Sequence, residues 1–396
     1  TSVTKIGANG ITTTFTGGLV TKTGSSQEIG GTIITVDTAI DISDGEAVTL
    51  NSNTILSSIG AGADGNDGNI TLGGTVDSST VNSDRNLTVN VGQGDFIISA
   101  GAVVGGGTNT ELGVIDINNS GDGNFDLNAV ITGAASIDVA GVSNLGKGVT
   151  TNANGTLGTQ VYNGNSTISG NTAINFTGSD VSFLGTVVGD GGNDEAVTIT
   201  GNAIFGNATT DTVTGLEDIT ITGNTTIETT TITTVDAQTY GNATSDTLTL
   251  GTNVVMTTGT AAGDDITFNS ILNSDNAGDE RNLTLTAEDV IFNGTVGQTL
   301  DLGAIDITGN LDLNADIGNT AGTAGADSLD VSGTTDLGAD VNTVNTQIYG
   351  GVTTVSAASI LETNDSNITF NGTIVGDASD DALTLNMGTG IVEFNQ

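Results

Sequence analysis

LGVIDI (112–117) returns as LGAIDI (302–307), and its neighbours return with it in the same order. Upstream, SDRNLTV (83–89) matches DERNLTL (279–285). Downstream, FDLNA (125–129) matches LDLNA (311–315), SIDVAG (136–141) matches SLDVSG (328–333), and TQVYNG (159–164) matches TQIYGG (346–351). With TIITVD (32–37) matching TITTVD (231–236) and AVTLNSN (47–53) matching TLTLGTN (247–253), the offsets run from 186 to 200 residues, so the chain reads as two tandem copies of one long unit, 1–199 and 200–396. A period this long exceeds any single supersecondary element, so each copy must itself be a stack of smaller repeats.

Within each copy, apolar residues alternate with Thr, Asp or Asn, as in NLTV (86–89), VIDI (114–117), LDLN (311–314) and NITF (367–370). That is period two, the pattern of a half-buried strand, and no helical period competes with it. Thr is β-branched and supports strands even where it faces outward. Turns rich in Gly, Asn, Asp and Ser separate strands of about four residues. All three tyrosines follow a Gln by two positions (Gln160/Tyr162, Gln238/Tyr240, Gln347/Tyr349). Tyr162 precedes Val181 by 19 residues, Tyr349 precedes Ile368 by 19, and Tyr240 precedes Ile266 by 26. A recurring one-coil spacing favours a parallel solenoid over a sandwich, with coils on the order of 20 residues. About 20 coils at a strand spacing of ~4.8 Å predict a rod of ~95 Å.

Composition fits narrow stacked layers better than one thick core. Gly is 60 of 396 residues, aromatics are 3%, and Pro, Cys, His and Trp are absent. Aliphatic residues are plentiful and mean hydropathy is +0.08, too apolar for a disordered chain. Five basic residues against 46 acidic ones give a charge of −41, which excludes nucleic acid and anionic membrane surfaces as partners. No apolar run is long enough for membrane insertion. The phase of the two ends, with residue 1 near residue 200 and residue 396 near residue 209, predicts ends that stack on further covalent repeats or on another copy. A segment of a larger protein is the competing expectation.

The runs ITFNGTIVGD (368–377), DVIFNGTVG (289–297) and TQIYGG (346–351), with LGAIDITGN (302–310) between strands, resemble the repeats of filamentous-haemagglutinin-type exoproteins. These are very large bacterial surface proteins, many exported by two-partner secretion. The resemblance covers most of the chain and rests on short motifs. It implies a right-handed parallel β-solenoid (β-helix), an extracellular or cell-surface location, and a part in adhesion, biofilm or surface structure. The sequence has no cell-attachment tripeptide and no basic glycan-binding patch, so no residue inherits adhesive specificity.

Asp-rich turns are the candidate sites. GADGNDGN (62–69) offers Asp64, Asn66 and Asp67, and GDGGNDE (189–195) offers Asp190, Asn193, Asp194 and Glu195. Asp264 with Asp265, Asp275 with Asp279 and Glu280, and Asp377 with Asp380 and Asp381 are further clusters. Closely spaced hard oxygen ligands on Gly-rich turns suit Ca²⁺, while solvated turn residues are the plainer reading. The outward Asp of the IDI, LDL and LDV units is read as a solvated face that deters lateral aggregation, with a stacked cation ladder as the alternative. Arg85 and Arg281 are register-equivalent, each following an acid, and a surface pairing with Asp84 or Glu280 is expected. Asn269, Asn293 and Asn371 each follow a Phe and are candidates, at the corner after a strand, for an inward ladder that stacks and hydrogen-bonds along the axis.

No cofactor is required on this reading. The expected function is structural: a rigid acidic rod of an extracellular filament, sheath or adhesin stalk, with copies of itself as axial partners. An adhesin module binding cell-surface glycans is the alternative. A carbohydrate-active enzyme is disfavoured, because paired carboxylates stand without basic or aromatic partners.

Overall fold

The computed structural model describes residues 2–21, 24–60, 67–80, 83–107, 110–170, 173–192, 194–318, 325–377 and 381–395. The chain divides into two compact units, Thr1–Asn202 and Ala203–Gln396. Both are all-β, and each is a parallel β-solenoid. No helix long and apolar enough to cross a membrane occurs among the described residues.

In the first unit, one face stacks eight strands in parallel: Leu19–Val20, Ile40–Ile42, Ile70–Leu72, Phe96–Ile98, Asn124–Leu127, Val142–Leu145, Ser166–Ile168 and Val187–Gly189. In the second unit, Ile219–Ile221, Gln238–Tyr240 and Ile266–Phe268 begin an equivalent stack. It runs on through the second halves of Arg281–Phe292 and Leu302–Leu313 to Thr335–Leu337, Thr353–Val355 and Ile374–Gly376. Eight coils in 202 residues make a mean coil of about 25, so coils are longer and fewer than the ~20-residue expectation. The tyrosine spacing misled because it joined a Tyr to the start of the next strand. Like for like, Tyr162 lies over Phe183, Tyr349 over Phe370 and Tyr240 over Phe268, spacings of 21, 21 and 28 residues. Turns of unequal length account for the spread: Phe125 pairs with Ser143 only 18 residues on, whereas Ile40 pairs with Ile70 after 30.

Why these residues form these strands is visible in burial. Ile40–Ile42, Ile266–Phe268 and Ile368–Phe370 each bury both flanking residues and leave the central polar one half-exposed. The flanking side chains stack on their counterparts in the next coil. Inside the first unit Phe96 stacks on Phe125 at 5.6 Å and Tyr162 on Phe183 at 4.9 Å. Inside the second, Tyr240, Phe268 and Phe292 form a column at 5.6 and 5.2 Å. The few aromatics are therefore concentrated in axial stacks, where offset rings contribute ~0.5–1.5 kcal/mol per pair beyond their burial.

The recurring motif has a specific role. Leu112–Asn119 lies on Arg85–Gly92 with Arg85 opposite Leu112 and Leu87 opposite Ile115, so one extra residue bulges between them. Asn86 fills that bulge, its Oδ1 accepting the Val114 amide at 3.0 Å. A Cβ on Gly113 would collide with the same oxygen. The second unit repeats this: Arg281 faces Leu302, Leu283 faces Ile305, Asn282 Oδ1 accepts the Ala304 amide at 2.9 Å, and Gly303 makes room for it. Gly105 (φ 68°) and Gly297 (φ 64°) also correspond, each with its Cβ direction blocked by a carbonyl, of Gly133 and Gly325 respectively. A side chain at either position meets both an unfavourable φ and immovable backbone.

One antiparallel pair interrupts the first unit. Asn152–Ala153 and Thr156–Leu157 form a hairpin around Asn154 (φ 53°) and Gly155 (φ 80°), the Asn-Gly pair that a two-residue turn with both φ positive demands.

Candidate functional site

The Asp-rich turns divide into struts and true clusters. Asp64 and Asn66 lie outside the described residues. Asp67 is a strut: its Oδ1 accepts the Gly60 amide at 3.0 Å and its Oδ2 the Gln93 amide at 2.9 Å. Both carboxylate oxygens are thus engaged in holding turns together. Asp264 likewise serves its own turn, with Oδ2 accepting the Ala261 amide at 2.7 Å. Asp275 receives the Arg281 guanidinium through both oxygens at 2.8 and 3.2 Å, and Asp279 pairs with it at 3.1 Å. The Arg281 hydrogen bond holds the Asp275 carboxyl below its usual value. The expected Glu280 pairing is therefore replaced by Asp275 and Asp279, because the turn folds back to bring residue 275 beside the strand start. Arg85 makes no ion pair among the described residues; Asp84 instead accepts the Asn154 side chain at 2.7 Å. Asp377 and Asp381 are not drawn into a described acidic trio, and Asp380 lies outside the described residues.

Three acidic trios do converge among the described residues, each with ligand atoms within 4.8 Å of one another: Asp190, Asp194 and Glu195; Glu217, Asp218 and Asp236; Asp265, Glu288 and Asp289. Asn193, in the first of these turns, lies outside the described residues. Asp190 and Asp194 are exposed, while Glu195 is 0% exposed with neither Oε atom hydrogen-bonded. Burial, and then the neighbouring Asp190 carboxyl, pushes Glu195 up to about 7. In the second trio, Asp218 Oδ1 accepts the Ala237 amide at 2.9 Å. In the third, Glu288 Oε2 accepts the Gly263 amide at 2.6 Å, and burial followed by the Asp289 charge raises Asp265. Of these acids, sequence reading missed Glu217, Asp218, Asp236, Glu288 and Asp289. Asp265 and Asp289 meet because Ile266 pairs with Val290, a register that adjacent residues alone do not reveal.

The outward Asp of the IDI-type units stack directly. Asp116 lies opposite Asp138, Asp306 opposite Asp330, and Asp312 opposite Asp336. Burial and the stacked neighbour's charge raise Asp330 and Asp312. Polar columns also run along the turns. Asn314 donates to Asn293 at 3.0 Å and Asn293 to Asn269 at 2.9 Å, while Asn395 donates to Asn371 at 3.1 Å. The Asn ladder exists at the corner after the strand, as expected, but its side chains are half-exposed or exposed and not inward, because each follows the buried Phe by one residue.

Gln160, Gln238 and Gln347 are wholly buried with their tyrosines. Each Tyr hydroxyl donates to its Gln Oε1, at 3.3, 2.9 and 3.0 Å. Each Gln Nε2 then donates to carbonyls beside the coil, such as Thr177 O at 2.9 Å, Thr257 O at 2.9 Å and Glu362 O at 2.8 Å. Burial drives all three phenols far above their usual range. The Gln-x-Tyr pattern is a structural node.

Comparison of the chain with protein families, curated proteins and solved structures yields no match.

Proposed function

We propose that this chain is a structural segment of an extracellular surface filament, sheath or adhesin stalk. The observation that carries this reading is the in-register repetition of the outer surface. Acids face acids on successive coils at Asp116/Asp138 in the first unit and at Asp306/Asp330 and Asp312/Asp336 in the second. Like charges directly opposite cost ~0.2–1 kcal/mol per pair. A chain that carries that cost on its solvent face, with a net charge of −41, is built to resist lateral sheet pairing. Aliphatic and aromatic columns beneath the same strands supply the offsetting stability.

Axial association belongs to the same reading. The axial column of Tyr349, Phe370 and Phe394, stacked at 5.1 and 5.7 Å, illustrates how a further coil would be seated on such a stack. A second copy of the chain is the proposed occupant. The resemblance to filamentous-haemagglutinin-type repeats points in the same direction.

Immunogold labelling of intact source cells with antibody to the purified chain tests the location. Gold along surface fibres supports the proposal. Label found only after the cells are opened contradicts it.

A further inference from the structure

We propose that Asp190, Asp194 and Glu195 form a Ca²⁺ site in the first unit. It stands independently of the filament reading, since a solenoid with any role could hold it. Three carboxylates alone would be an unremarkable acidic turn. What singles this one out is Glu195, which is 0% exposed and accepts no hydrogen bond through either oxygen. An ionised carboxylate can only accept, so it needs a donor or a cation, and leaving it buried without either costs several kcal/mol. The groups gathered around it are two more carboxylates, Asp190 and Asp194. Asp190 and Asp194 concentrate negative charge over it, so without a cation the group takes up a proton, as its rise to about 7 records, and a bound cation takes that proton's place.

A cation resolves all three at once. Every side-chain ligand is a carboxylate oxygen, which selects a hard cation over zinc or copper. The atoms lie within 4.8 Å of one another, inside the ~4.6–5.2 Å that Ca–O bonds of ~2.3–2.6 Å allow between two ligands of one ion. Water completes the shell on the exposed side. Ca²⁺ tolerates irregular, partly hydrated geometry, whereas Mg²⁺ demands a near-ideal octahedron. The trio at Asp265, Glu288 and Asp289 lacks a comparable buried, wholly unpartnered member, and Asp67 already spends both oxygens on backbone amides.

The test uses the full chain, stripped with chelator and titrated with CaCl₂ in ~0.15 M salt, where diffuse attraction to the acidic surface is screened beyond ~8 Å. Hydrogen exchange is followed across residues 190–197. Ca²⁺ is expected to slow exchange there at least tenfold, with half-saturation between ~0.1 and ~1 mM, the range of extracellular modules. Glu195→Gln should abolish that response. In chelator it should melt above wild type, because a buried charge is gone, and in Ca²⁺ the order should reverse. Asp194→Asn, at an exposed position that leaves folding intact, should weaken binding at least tenfold. Two outcomes overturn the proposal: exchange at 190–197 unchanged by Ca²⁺ in wild type, or an equal Ca²⁺ response in wild type and Asp194→Asn.

Discussion

Gln347→Met asks whether the Gln-x-Tyr node is needed for the fold. Gln347 is wholly buried, and its Nε2 donates to Val341 O at 3.2 Å, Glu362 O at 2.8 Å and Thr343 Oγ1 at 3.2 Å. Its Oε1 accepts the Tyr349 hydroxyl at 3.0 Å. Methionine matches the volume and removes every one of these bonds. Two groups lose a strong partner in an apolar interior, the Glu362 carbonyl and the Tyr349 hydroxyl. At ~1–3 kcal/mol each, the substitution costs ~2–6 kcal/mol. For a cooperative unit of 150–250 residues even the lower figure lowers Tm by ~4–8 °C. Tyr349→Phe alone strands the Gln347 oxygen and costs ~1–3 kcal/mol. The double variant Gln347→Met/Tyr349→Phe strands only the Glu362 carbonyl, so it should cost ~1–3 kcal/mol, less than Gln347→Met and ~2–6 kcal/mol better than the sum of the singles. Calorimetry of the four proteins closes the cycle. Strictly additive losses refute the node, since they mean the hydroxyl and the amide act independently.

Three further outcomes follow from the same physics. Asp126, Asp265, Asp301, Asp312 and Asp330 all have raised values with burial as the first cause; the stability this gives is full below the ordinary carboxylate range and is lost as pH rises through the raised values. Asp275 and Asp365 are lowered and act oppositely; Glu195, pushed up to about 7, loses its contribution as pH rises through that value, so in chelator at constant ionic strength the protein should melt higher at pH 5 than at pH 8. Gly105→Ala and Gly297→Ala should each cost at least ~1–3 kcal/mol by denaturant titration, because φ is positive and the Cβ meets a carbonyl, whereas Gly101→Ala, with open space around it, should cost less. Asp330→Asn relieves the stacked charge of Asp306 and should raise stability by ~0.2–1 kcal/mol while increasing lateral clumping, measured by light scattering.

The strands were legible because their determinant is local. A residue such as Thr267, between Ile266 and Phe268, declares its outward face through two neighbours alone. The duplication was legible in the same way, and the paired bulges at Gly113 and Gly303 show that the repeated letters encode repeated backbone geometry. Coil length was not legible, because turns absorb insertions without altering the strand pattern. That one unknown hid relations between coils such as Glu288 and Asp289 beside Asp265 and Asn86 in the bulge under Val114. Glu195 looked like another solvated turn acid. Its burial depends on where the turn that carries it folds, which neither charge nor spacing records. The Gln-x-Tyr pairs were visible as a pattern, yet their role required knowing that both residues face inward.

The most direct measurement is cryo-electron microscopy of the purified full chain with and without Ca²⁺. Filaments with a strong axial spacing near ~4.8 Å, continuous through successive copies, are the predicted result. Discrete particles of one chain at every concentration, in both conditions, contradict axial self-assembly and with it the proposal that this acidic solenoid is built to form fibres.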